Sequence, residues 1–197
     1  MKFKLKCMHL KLIFSKILVN YAFPMEISAN ITLVTGGQRS GKSRYAQELA
    51  ESASSQPTYL ATARYWDKEF EERIAYHKKD RGDHWICIEE EKCISKHQFK
   101  NKVVLLDCIT LWLTNFFTDL NMDKENTLNE AKKEWHAFIK QDMDLIVVSN
   151  EIGSGIIPMD ANTRAFADIQ GWMNQHIARQ ANKVVHMVCG IPNVIKD

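Results

Sequence analysis

The residues best equipped for chemistry form one short run, Gly36-Gly37-Gln38-Arg39-Ser40-Gly41-Lys42-Ser43. It fits the pattern G-x-x-x-x-G-K-[ST] and lies between an apolar β-branched stretch, Ile31–Thr35, and an amphipathic one, Ser40–Ser52. Such a loop binds phosphate. Glycines allow the backbone to turn its N–H groups inward, and the following helix adds the positive end of its dipole. In this arrangement Lys42 reaches the β- and γ-phosphates, and the Ser43 hydroxyl joins the shell of a Mg²⁺ ion. Asp107 ends the apolar run Val103–Leu106. An acid there stands beside the loop at the sheet edge and is the candidate second metal ligand, acting through water. These features define a nucleotide binder. They do not separate a kinase from a switch GTPase or a motor.

A second group is Arg73-Ile-Ala-Tyr-His77-Lys78-Lys79-Asp80-Arg81-Gly82-Asp83-His84-Trp85, a basic run holding two histidines and a tryptophan. By composition alone it reads as a solvated charged helix with its exit loop. Asn150-Glu151 follows another apolar run, where ligand-contacting loops of open α/β sheets lie. A loop cap is the equal alternative. Trp112, Trp135 and Trp172 sit among apolar residues at helical spacing and read as core or subunit interface. His97, His136, His176 and His186 show no ligand spacing.

These groups need a scaffold. Ile31–Thr35, Thr58–Thr62, Val103–Leu106, Leu145–Val148 and Val184–Val188 read as strands, apolar enough to be covered on both faces. Between them lie helical patterns: Ser40–Ser52, a charged one over Asp67–Lys79, one through Leu128, Ala131, Trp135, Phe138 and Ile139, and one through Phe166, Ile169, Trp172, Met173 and Ile177. Thr127 to Glu130 fits a capping box for the third. Alternating strands and helices predict an α/β fold with a mostly parallel sheet flanked by helices, the P-loop NTPase, RecA-like class. Neither an internal repeat nor a Pro-rich linker divides it, so residues 30–197 are expected to form one domain.

The 197 residues are 45% hydrophobic and 25% charged, which excludes disordered and collagen-like classes. No stretch approaches 18 uninterrupted apolar residues, which excludes a polytopic membrane protein. The net charge of +2 is uneven. Residues 1–29 carry +4 and the remainder −2, so nothing in the body calls for nucleic acid. Lys16 breaks the apolar centre that a signal peptide requires. Residues 1–29 are expected to be an N-terminal extension, disordered or an artefact of the assigned start, with Met25 as the true first residue. A membrane-surface helix is the other reading, and stable membrane insertion is not expected. Five cysteines, at 7, 87, 93, 108 and 189, form no C-x-x-C pair and suit a reduced, cytoplasmic protein.

Together the motifs resemble a known family, the bifunctional adenosylcobinamide kinase/adenosylcobinamide-phosphate guanylyltransferases of cobalamin biosynthesis. The matching residues are Thr35 to Arg44, Tyr59-Leu-Ala-Thr-Ala63, Arg73-Ile…His77-Lys…Arg81…His84-Trp85, Leu105-Leu-Asp-Cys-Ile-Thr110 with Thr114-Asn115, Ser149-Asn-Glu-Ile-Gly153, Asp168-Ile…Asn174-Gln175 and Cys189-Gly-Ile-Pro192. The resemblance runs from about residue 31 to the C-terminus. It implies phosphorylation of adenosylcobinamide by a nucleoside triphosphate, ATP or GTP, and then transfer of GMP from GTP to adenosylcobinamide phosphate. His77 matches the histidine that carries GMP in this family. The resemblance also implies nucleotide contacts from Thr62, Ala63 and Arg64, from Arg81, Gly82, Asp83 and His84, and from Glu89 and Thr110. It implies a homo-oligomer, a trimer. Two departures stand out: Gly82 where many members have proline, and Asp107 where many have glutamate.

The residue type suits the chemistry. A neutral imidazole is nucleophilic near pH 7. It attacks the α-phosphate to form a phosphoramidate, whose P–N bond breaks readily once the ring is protonated. Lys78, Lys79 and Arg81 would offset charge on the transferring group. The rivals are a small-molecule P-loop kinase lacking guanylyl transfer and a non-catalytic nucleotide switch.

Overall fold

The computed structural model describes residues 27–64, 82–99, 102–155 and 157–197. Strand β1 (Asn30–Gly36) leads through the glycine-rich loop into helix α1 (Lys42–Ala53), then β2 (Thr58–Ala61) and β3 (Ile86–Glu89). A short 3₁₀ turn (Ile94–Lys96) precedes β4 (Val103–Asp107), α2 (Ile109–Asp119) and α3 (Lys124–Phe138). The chain continues through β5 (Asp144–Asn150), α4 (Ala161–Gln180), β6 (Lys183–Val188) and β7 (Ile191–Lys196). The described strands form a seven-stranded sheet in the order β3-β2-β4-β5-β1-β6-β7. Every pairing is parallel except β6 with β7. This is the expected P-loop α/β architecture, with the strand carrying Asp107 set one strand away from the phosphate-loop strand.

The strand alternation explains why these runs are apolar throughout. In β4, Val104 and Leu106 face a cluster containing Trp112, Trp135, Phe138, Met173 and Ile177 of α2, α3 and α4. Val103 and Leu105 face the other cluster, with Ala46 and Ala50 of α1, Tyr59 and Trp85. A strand between two helical layers has no solvent face to supply with polar residues. Trp112 and Trp135 are fully buried, as the helical spacing predicts, whereas Trp172 is exposed. Lys124 Nζ lies 5.0 Å over its ring.

Helix α3 begins elsewhere than expected, and α2, β3 and β7 lie in stretches for which the sequence predicts no element. Helix α3 starts at Lys124, because Asp123 accepts a hydrogen bond from Asn126 N (2.8 Å) and caps it one turn before Thr127. Thr127 is therefore inside the helix and buried. Strand β7 extends the sheet antiparallel beyond β6 and is exposed along its length. The expected helix over Asp67–Lys79 and the extension before Ile27 lie outside the described residues.

Candidate functional site

Parallel pairing brings the loops after β1, β2, β4, β5 and β6 to one edge of the sheet. Gly36 is registered with Asn150 on one side and Met187 on the other. Ala61 stands between Glu89 and Asp107. The phosphate loop, Thr62-Ala63-Arg64, Glu89, Asp107, Thr110 and Asn150 therefore share that edge.

The loop depends on its glycines. Gly36 has φ 152°, and a Cβ there would lie 2.6 Å from the Met187 carbonyl oxygen and 2.8 Å from Ser40 Oγ. Gly41 has φ 92°, with Gly190 Cα 3.3 Å from where its Cβ would stand. The β6–β7 turn is thus packed against the loop, and Gly190 N donates to Ser40 O (3.0 Å). Arg39 also takes a positive φ, 56°, at the exposed tip with Gly37 and Gln38. Ser40 Oγ is buried with no partner.

Lys42 opens α1 and is buried, its Nζ donating to Gly37 O at 2.6 Å. Burial pulls its pKa below the ordinary lysine range, opposed by the neighbouring Cys108 and Asp107. Lys42 and Asp107 are thus brought together as the sequence predicted, although β5 runs between their strands. Ser43 follows Lys42 in the first turn and is half-buried. Asp107 Oδ2 accepts from Tyr59 OH (2.9 Å), and among the described residues Oδ1 takes no hydrogen bond. A hydroxyl and a carboxylate are hard oxygen donors, and Mg²⁺ characteristically takes one or two protein ligands and completes its shell with phosphate and water. The residues fit that ion.

Thr62 has a different occupation from the one expected of it. It is fully buried. Its Oγ1 donates to Cys108 O (2.8 Å) and accepts from Cys108 N (2.9 Å). Its N–H donates to Asp107 O, and its own carbonyl accepts from Asn115 Nδ2 (2.8 Å). Every polar group of Thr62 is consumed in tying the end of β2 to the end of β4 and to α2. Arg64 donates to Asp119 through Nη1 and Nη2 (2.8 and 3.1 Å) and to Glu91 through Nε (2.6 Å). Its hydrogen bonds to Asp119 raise its pKa well above the usual value. Ala63 is half-buried between them.

Gly82, Asp83 and His84 form a turn, closed by Trp85 N donating to Gly82 O (3.2 Å). His84 Nε2 lies 3.3 Å from Glu51 Oε1, which also accepts from Trp85 Nε1 (2.9 Å). The turn is thereby fixed to α1. Trp85 in turn packs edge-on to Tyr59, the residue that holds Asp107. Glu89 is exposed at the end of β3. His77 and Arg81 lie outside the described residues.

Sequence reasoning missed a buried polar group behind Asn150. Asn174 Nδ2 donates to Asn150 O (3.0 Å), and Asn174 Oδ1 accepts from Ser149 Oγ (2.6 Å) and Gln170 Nε2 (2.9 Å). The available signal was two amides four residues apart on an otherwise apolar helical stripe. Also missed was the approach of His136 and His176, whose Nε2 atoms are 2.7 Å apart. Among the described residues no three His, Cys, Asp or Glu side chains gather as a metal site.

A family model described as cobinamide kinase / cobinamide phosphate guanyltransferase matches residues 32–195. The chain belongs to this family. Its relatives include the bifunctional adenosylcobalamin biosynthesis protein CobU of Escherichia coli, 38% identical over 179 residues that cover 83% of this chain and 98% of that protein. CobP of Pseudomonas aeruginosa, named as the same bifunctional protein, is 35% identical over 168 residues, 83% and 96% of the two chains. CobU of Salmonella typhimurium is 34% identical over 184 residues, 83% and 98%. A loose likeness to the flagellar accessory protein FlaH of Methanocaldococcus jannaschii (14% identity, TM-score 0.41, 85% and 78% covered) adds nothing to the assignment. The family assignment agrees with the phosphate loop and with the resemblance drawn from the motifs. Among the described residues no helix is long and apolar enough to cross a membrane.

Proposed function

We propose that this member of the cobinamide kinase / guanyltransferase family carries out both reactions. In the first, the hydroxyl of the aminopropanol arm of adenosylcobinamide attacks the γ-phosphorus of a triphosphate held in the phosphate loop. The bond to the β–γ bridging oxygen breaks, and the nucleoside diphosphate leaves. In the second, His77 attacks the α-phosphorus of GTP, pyrophosphate leaves, and the resulting phosphoramidate passes GMP to adenosylcobinamide phosphate. The observation that carries this reading is Lys42. It is a buried ammonium at the start of α1, beside Asp107, within a chain matched to the family from residue 32 to 195.

The residues divide the work. The backbone of Gly36 to Gly41 cradles the phosphates, and Gln38 and Arg39 stand at its exposed tip. Lys42 stabilises charge on the β- and γ-oxygens, where a fixed cation in a desolvated site counts for most. Ser43 and Asp107 would hold Mg²⁺, which when bound offsets phosphate charge. Ala63, Arg64, Arg81, Gly82, Asp83, His84, Glu89 and Thr110 line the nucleotide, with Thr62 acting from behind. The reactions belong in the cytoplasm, and the assembly is a homo-oligomer, a trimer.

Incubation with [α-³²P]GTP and Mg²⁺ tests the second reaction. The protein should become labelled, the label should be acid-labile and alkali-stable, and His77→Ala should abolish it while nucleotide binding persists. Absence of label on the wild-type protein, with phosphate still transferred to cobinamide, would reduce the protein to a kinase. Absence of both would leave a nucleotide switch.

A further inference from the structure

The polar group behind the sheet edge opens toward that edge at Thr110, and that end points to a role in phosphoryl transfer. Its internal directions are fixed from a single anchor. The Asn150 carbonyl only accepts, so Asn174 must present Nδ2 to it and turn Oδ1 the other way. Oδ1 then accepts from Gln170 Nε2 and from the Ser149 hydroxyl, and Gln170 Nε2 also reaches Ser149 Oγ at 2.9 Å. Ser149, Gln170 and Asn174 are all buried. Burying three polar side chains costs free energy unless they are paired; here they pair with one another and with the backbone at Asn150, and only Gln170 Oε1 among their polar atoms is left without a partner.

Asn150 carries the arrangement forward. Its N–H and its Nδ2 donate to the same atom, Thr110 Oγ1, at 3.1 and 3.0 Å. A hydroxyl oxygen accepts two hydrogen bonds, and both are filled from Asn150. The Thr110 hydrogen is left to donate away from Asn150. Thr110 is half-buried, in the first turn of α2 at the sheet edge. Strand β5 lies between the phosphate-loop strand and the Asp107 strand, and Glu151 N donates to Gly36 O (2.9 Å). The donor therefore stands on the strand interval between the phosphate cradle and Asp107, toward which a triphosphate held in the loop would extend its terminal phosphoryl group.

We propose that the Thr110 hydroxyl donates to an oxygen of the phosphoryl group in transit, and that Asn174 and Gln170 are positioning residues acting through Asn150. This rests on the kinase reading above. The chemistry asks for an anionic, tetrahedral acceptor, and the donor is set before the ligand arrives, which is the condition under which such a contact favours the transition state over the ground state.

Steady-state kinetics of phosphoryl transfer to cobinamide, with the full chain, tests it. Thr110→Val should lower kcat about tenfold or more while the nucleotide Kd stays within about threefold, and Thr110→Ser should recover most of the loss. Asn174→Leu should lower kcat about fivefold. The double variant Thr110→Val/Asn174→Leu should be no slower than Thr110→Val alone, because the brace has nothing left to position. A merely structural Asn174 would multiply the losses instead. If Asn174→Leu does not fold, Gln170→Met reads the same coupling. Full activity of Thr110→Val, or multiplicative losses in the double variant, would overturn the inference alone. A wild-type protein that never phosphorylates cobinamide would sink the kinase reading and this inference with it.

Discussion

Thr62 separates two accounts of the site, and Thr62→Val distinguishes them. The substitution is close to isosteric, so it opens no cavity; it removes one hydroxyl. That hydroxyl makes two hydrogen bonds to Cys108, at 2.8 and 2.9 Å. The Cys108 carbonyl keeps a partner in Trp112 N (3.1 Å), but the Cys108 N–H is left buried and unpaired. Two net hydrogen bonds at about 1 kcal/mol each, plus an orphaned donor, give a loss of about 2–4 kcal/mol. A domain of this size loses roughly 2–4 °C of Tm per kcal/mol, so the midpoint should fall by roughly 5–15 °C. Thr62→Ser, which keeps the hydroxyl and gives up a methyl, should lose about 1 kcal/mol. Calorimetry gives the melting shift, and titration calorimetry on the folded protein gives the nucleotide Kd. The Val variant should bind nucleotide only a few-fold more weakly, since Asp107 is displaced but not removed. A Val variant that melts within about 2 °C of wild type yet loses tenfold or more in affinity would show that the hydroxyl meets the nucleotide and that the clamp is incidental.

Gly36→Ala should weaken nucleotide binding at least about tenfold, measured by equilibrium dialysis, because its Cβ would press on the Met187 carbonyl at a backbone angle suited to glycine. Lys42→Met should lower the phosphoryl-transfer rate about a hundredfold. It should also reveal a sign: the folded pKa of Lys42 lies below 10.5, so the unfolded chain holds this proton more tightly. Wild-type stability should therefore rise relative to the Met variant as pH climbs toward 10.5, a trend that urea titrations at stepped pH would detect. Burial lowers the His176 pKa to about 4, with His136, Lys132 and Arg179 adding repulsion, and burial likewise lowers that of His136, with Lys132 and Lys140 opposing its charge. The unfolded chain takes up the proton near pH 6.5 and the folded one only near 4, so this stability is present above 6.5 and is lost as pH falls between those values. Halved for solvent exposure, the loss is about 1.5 kcal/mol, and the Tm advantage of wild type over His176→Gln should shrink by about 3–6 °C between pH 7 and pH 4.

The sequence revealed what was local. The phosphate loop is a pattern of eight consecutive residues, and β4 is an apolar run whose burial on both faces leaves no other reading. What was not local stayed hidden. Strand β7 contains Pro192 and is exposed, and proline is tolerated there because the strand is an edge. Strand β3, Ile86–Glu89, is four residues long and mostly exposed, so it has neither length nor burial to announce it. Asp123 displaced Thr127 as the cap because both types serve and only packing chooses between them. His136 and His176 are forty residues apart and belong to different helices, so no spacing rule joins them. Thr62 shows the opposite limit: a motif match brought it to the right edge of the sheet, but whether its hydroxyl faces a ligand or a strand depends on Cys108.

The placement of the buried polar residues supports the site independently of any motif. Apolar burial drives the fold, and a buried polar side chain costs free energy, most of all where an atom such as Ser40 Oγ is left without a partner. Among the described residues, the buried polar side chains are Thr35, Ser40, Lys42, Thr58, Thr62, Asn115, Thr127, Ser149, Gln170 and Asn174. All but Thr35, Thr58 and Thr127 stand in the phosphate loop, or brace the ends of β2, β4 and β5 from behind. A chain selected for stability alone would scatter such residues or replace them with Val and Leu of the same volume. Concentrating them under one edge makes sense if that edge must hold N–H groups, hydroxyls and an ammonium in fixed directions toward an anion, with a carboxylate placed for its metal ion. The same logic explains why Thr62, Asn115 and Asn174 hydrogen-bond to backbone groups. They hold rigid the strand ends from which Asp107, Thr110 and Asn150 are presented.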